Sequence, residues 1–161
     1  MKPQMPEDGQ FRVGKPDNAT DARWIYVTPE MALAHPKGQL GLLLWALVAF
    51  NLLMGVVRVY QGVTITPLAL IFGVANLTVA LLLAIRSPWA LPAVFVQVIG
   101  GILAAFFIVL GPVDVVIRAA LGIGLLVYLV DGDRPNLIYR HRFRAYSDLE
   151  GQDRWTGGDN V

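Results

Sequence analysis

The side chains able to do chemistry in the apolar part of this chain are few. Between positions 40 and 130 the charged residues are Arg58, Arg86, Asp114 and Arg118 alone. Three amides, Asn51, Asn76 and Gln97, lie deep in the same stretch. Amides neither titrate nor carry charge, so these three suit hydrogen bonding between helices, or a polar lining, rather than proton transfer. Asp114 and Arg118 stand four residues apart and can pair along one helix. Arg58 falls at a matching depth and can share Asp114, which leaves one positive charge in excess. This Arg58, Asp114, Arg118 group reads either as a salt-bridge network or as an anion, headgroup or ion-path site.

Other chemistries lack their residues. The 161-residue chain has no cysteine, which excludes disulfides, thiolate metal sites, iron–sulfur clusters and a thiol nucleophile. Its two histidines, His35 and His141, flank the apolar region, so axial haem ligation by histidine within it is not expected. Neither a phosphate-binding glycine motif nor metal-ligand spacing is present. The expectation is a protein that is not an enzyme, with no catalytic residue, no metal and no cofactor.

The elements that hold these residues follow from hydropathy. The chain is 55% hydrophobic and 16% charged, where soluble domains carry about 25% charged residues. Charges gather at the ends: residues 1–39 hold five Lys/Arg and five Asp/Glu, and residues 131–161 hold five and six. Crossing about 30 Å of hydrocarbon takes roughly 20 apolar residues at 1.5 Å each. Four stretches qualify: 40–60, 67–85, 89–110 and 113–130. Glycine and proline punctuate the links at 61–66, 86–88 and 111–112. Links this short imply an antiparallel four-helix transmembrane bundle, an all-α membrane protein with short loops.

Each span carries a polar or small stripe suited to close helix packing. The stripes are Asn51, Gly55, Arg58 and Gly62; Gly73, Asn76, Ala80 and Ala84; Gln97, Gly101 and Ala105; Asp114, Arg118 and Gly122. Asn51, Asn76 and Gln97 lie about 16, 14 and 12 Å into their spans. They are expected to form one hydrogen-bonded cluster.

The flanking segments divide at 1–23, a flexible tail, 24–38, an interfacial segment, and 132–161, a C-terminal tail, around a membrane domain at 39–131. Trp24 and Tyr26 form an aromatic patch. Thr28, Pro29 and Glu30 read as the cap and first turn of a short helix ending near His35. Tyr139, Phe143 and Tyr146 recur at i, i+4 and i+7, with Arg140, Arg142 and Arg144 between them. This predicts a basic amphipathic helix from 136 to 146, serving as a membrane anchor, a docking surface or an anionic-lipid contact.

Orientation follows the Lys/Arg bias. Arg23, Lys37, Arg86, Arg134, Arg140, Arg142 and Arg144 gather on one side, against Arg58 and Arg118 on the other. Both termini are then expected in the cytoplasm. The formal net charge of +1 argues against nucleic acid as a partner. Expected partners are the lipid bilayer, other membrane-protein subunits and anionic headgroups. The leading expectation is a non-catalytic accessory subunit of a larger complex in a bacterial inner membrane. The alternatives are a small oligomeric channel or transporter and an anionic-lipid-binding protein.

Overall fold

The computed structural model describes residues 12–16, 22–107 and 111–145. They divide into two compact units: residues 40–130, and the flanking segments 1–39 with 131–161.

The first unit is helical. Its elements are α2 (Leu42–Thr64), α3 (Pro67–Ala84), α4 (Ala90–Phe107) and α5 (Pro112–Asp131), the last ending one residue past the unit. Helices α2, α3 and α5 are long and apolar enough to cross a membrane, and α4 is shorter over its described side chains, Ala90–Leu103.

Helix α2 runs four residues beyond the predicted end at 60, through Gly62. The glycine is used for close approach rather than termination. A Cβ on Gly62 would lie 2.5 Å from the Leu70 backbone nitrogen, and one on Gly73 would lie 2.7 Å from that of Val59. Such contact between backbones is what small residues at helix interfaces permit. The buried residues of α2 are Leu44, Val48, Asn51, Gly55 and Gly62, and those of α3 are Gly73, Asn76, Val79, Ala80 and Leu83. Helix α3 then ends in a Schellman turn: Ser87 N–H donates to the Leu82 carbonyl and Arg86 N–H to that of Leu83. Arg86 holds the left-handed position at φ 57°, a place usually given to glycine.

The small-residue stripes of α4 and α5 are used less. Gly122 packs on Val98, but a Cβ on Gly100, Gly101 or Gly124 would meet nothing within 4 Å. Only 6% of the apolar window of α5 is buried, against 22% in α2 and 28% in α3.

The second unit corrects the all-α expectation. It contains β1 (Arg12–Pro16), β2 (Arg23–Tyr26), the short helix α1 (Pro29–Ala34), a 3-10 turn at Pro36–Gly38, the helix α6 (Asp133–Arg140) and β3 (Arg142–Ala145). The strands form one antiparallel sheet in the order β1-β2-β3. Central β2 pairs Trp24 with Arg144, Ile25 with Phe143 and Tyr26 with Arg142. The expected flexible tail thus contributes a paired strand at Arg12–Pro16, and residues 1–11 and 17–21 lie outside the described set.

The expected 136–146 helix is corrected as well. It stops at Arg140, because His141 turns into the left-handed region at φ 49°. Arg142, Phe143 and Arg144 alternate charged and apolar side chains, which is the period of a half-buried strand. Pairing with β2 satisfies their backbone groups. Helix α1 forms as expected: Thr28 caps it, its Oγ1 accepting from Met31 N–H at 3.2 Å, and Pro29 opens it. The core of this unit is Val27, Ala32 and Leu137, with Met31 and Phe143 against them.

Candidate functional site

Inside the helical unit, helices α2 to α5 enclose a half-open cavity of about 280 Å³. Three kinds of side chain line it: the amides Asn51, Asn76 and Gln97, the cations Arg58 and Arg118, and apolar walls that include Leu47, Phe50 and Leu121.

The amides form one network. Gln97 Nε2 donates to Asn51 Oδ1 at 2.7 Å and to Asn76 Oδ1 at 2.6 Å. Each asparagine uses its own Nδ2 within its helix, Asn51 donating to the Leu47 carbonyl at 2.9 Å and Asn76 to that of Phe72 at 2.7 Å. Asn51 is 1% exposed and Asn76 3%, so both acceptors depend on Gln97. The glutamine thus ties α4 to α2 and α3 at once. Interhelical bonds of this kind contribute about 0.6–1.7 kcal/mol each. Gln97 Oε1 has no partner among the described residues and remains able to accept.

The charged group is arranged differently from the expected network. Arg58 and Arg118 border the same cavity, whereas Asp114 does not line it. Among the described residues Asp114 forms no ion pair with either arginine. It stands exposed in the first turn of α5, where a carboxylate is favoured by the helix dipole without a cation beside it. Arg58 sits 5.8 Å from the centroid of the Phe72 ring, within cation–π range. The cavity therefore carries two positive charges and no acidic side chain among its lining residues.

The proposed docking residues separate. Tyr139 is 2% exposed and belongs to the interior of the flanking unit, and Phe143 packs on its core. Trp24 carries two guanidiniums over its ring, Arg142 at 4.1 Å and Arg144 at 4.9 Å. Tyr26, opposite Arg142 in the strand register, extends that aromatic and basic face. Tyr146 lies outside the described residues. Buried Asn136 organises the basic cluster: its Oδ1 accepts from Arg140 Nη1 and Arg142 Nε, both at 3.2 Å, while its Nδ2 donates to the Gly132 carbonyl. Burial, and secondarily the neighbouring Arg142 charge, lowers the Arg140 pKa from its ordinary value. Burial also holds the His141 pKa below the ordinary histidine value, with Glu30 opposing the shift.

Asn136 is a residue that sequence reasoning missed. Its signal was its spacing of four and six residues from two arginines. The cavity itself was also missed, since it is lined by residues of four helices, Gly101 among them, and depends on how those helices pack. Among the described residues no three His, Asp or Glu side chains group as a metal site requires.

No family model, no curated protein and no solved structure matches the chain. What the fold defines is a helical protein with the apolar helices of a multi-pass membrane protein, joined to a small α/β unit built from both flanks.

Proposed function

We propose that this chain is a four-span membrane protein with both termini on the cytoplasmic side, acting as a non-catalytic accessory subunit of a larger membrane-protein complex. The observation that carries the reading is the isolation of α5. Helices within a bilayer are held by packing and interhelical hydrogen bonds, because lipid supplies no hydrophobic drive between them. With 6% of its window buried, α5 has little packing of its own in this chain. A membrane helix of a partner supplies what is missing.

Parity supports four crossings over three. Strand β2 precedes the helices and β3 follows them, yet the two pair over four residues. A unit woven from both flanks lies on one side of a membrane, so the helices between cross an even number of times. Seven Lys/Arg against two favour the cytoplasm for that side. The test is photocrosslinking in native membranes. Probes at the exposed positions Val116, Leu121 and Val127 of α5 are expected to give adducts with one defined protein. Lipid adducts alone at all three positions would overturn the reading.

A second reading, a channel or transporter acting as an oligomer, draws on the cavity where both arginines and all three amides meet. Flux in proteoliposomes that Arg118→Ala abolishes would favour it over the first.

A further inference from the structure

We propose that the cavity between α2, α4 and α5 binds an anionic phospholipid, its phosphate held by Arg58 and Arg118 and its upper acyl chain against the apolar wall. The proposal requires the chain to be membrane-embedded, and does not require it to be an accessory subunit.

Charge comes first. Two guanidiniums border one cavity with no acidic side chain in its lining, and neither forms an ion pair among the described residues. Arg58 is half-buried and Arg118 exposed, so both guanidiniums are accessible to an anion entering from outside. Arginine's planar fork matches phosphate oxygens two at a time.

Depth agrees. Arg58 lies six residues before the end of α2 at Thr64, and Arg118 six after the start of α5 at Pro112. At 1.5 Å per residue both Cα atoms sit about 9 Å inside their helix ends. Long arginine side chains reach from that depth towards the headgroup layer.

Shape and lining decide between a lipid and a free anion. At about 280 Å³ the cavity sits at the small end of ligand pockets, which run from about 300 Å³ upward, a size for a phosphate headgroup rather than a whole lipid. The cavity is half open, and the acyl chain continues along exposed helix faces. Leu47, Phe50, Met54 and Leu121 form apolar wall that inorganic phosphate would not use.

The experiment is native mass spectrometry of the full chain released from nanodiscs of phosphatidylglycerol mixed equally with phosphatidylcholine. One retained phosphatidylglycerol per chain is expected, at least ten-fold enriched over phosphatidylcholine. Arg58→Gln with Arg118→Gln should abolish the enrichment. Gly101→Leu is the second variant: a Cβ there meets nothing within 4 Å, so leucine fills the cavity and keeps both charges. It should remove the bound lipid while gel filtration and helical circular dichroism stay unchanged. Equal retention of the two lipids would overturn the proposal. So would enrichment that survives Gly101→Leu, which would assign binding to surface charge. Displacement of the lipid by millimolar inorganic phosphate would overturn it in favour of a free anion.

Discussion

Replacing Gln97 by leucine isolates the polar contact that holds three helices together. The side chain is of similar size, so the change removes hydrogen bonds more than volume. Two bonds are lost, to Asn51 Oδ1 and Asn76 Oδ1, and both acceptors sit on nearly fully buried residues. At about 0.6–1.7 kcal/mol for each bond inside a membrane, the loss should total roughly 1–3 kcal/mol. Reversible unfolding in mixed detergent micelles, titrated with dodecyl sulfate and followed by circular dichroism, measures it. A double-mutant cycle with Asn51→Ala separates the contact from side effects. The expected coupling is about 0.6 kcal/mol or more. Additivity within about 0.3 kcal/mol, the ordinary scatter for independent sites, would refute the claim that Gln97 bridges the helices.

Other consequences follow from the same geometry. Gly73→Val drives a side chain into the backbone of α2 at Val59 and should cost about 1–3 kcal/mol by overpacking, whereas Gly124→Ala, inside α5 and in open space, should cost nothing and stabilise by up to about 1 kcal/mol in the same titration. Arg86→Gly should raise stability by up to about 1 kcal/mol, since the left-handed position penalises any side chain. His141 titrates below its ordinary value when folded, so the unfolded chain binds the proton more readily. Its contribution is fully present above pH ~6.5 and is lost as pH falls from there through the lowered folded value. The melting temperature of the flanking unit should therefore drop between pH 8 and pH 5. His141→Asn, which tolerates the left-handed backbone, should reduce that drop, and an identical drop would exclude the histidine as its source.

The helices were legible because hydropathy is a local signal that survives any packing arrangement. The amide contact was legible too: Asn51, Asn76 and Gln97 lie at similar depth, and buried polar groups in lipid must find partners. The cap at Thr28 followed from three adjacent residues. What escaped was non-local. The pairing of Trp24 with Arg144 joins residues 120 positions apart in the sequence, with all four long helices between them, and no local pattern announces it. In the C-terminal segment two periods competed: Tyr139, Phe143 and Tyr146 fit a helix, while Arg142, Phe143 and Arg144 fit a strand. The strand prevailed because β2 offered a free edge and His141 broke the helix. The isolation of Asp114 from Arg118 was also beyond reach, since i, i+4 spacing permits a pair without compelling one.

The central claim, an even number of crossings with both flanks on one side, is open to direct measurement because the chain has no cysteine. Single cysteines at the exposed positions Glu30, Thr66, Pro88 and Asp133 can be labelled with a membrane-impermeant maleimide in intact cells. Thr66 should label at once, and Glu30, Pro88 and Asp133 only after the membrane is opened. Labelling that places Glu30 and Asp133 on opposite sides would contradict the account.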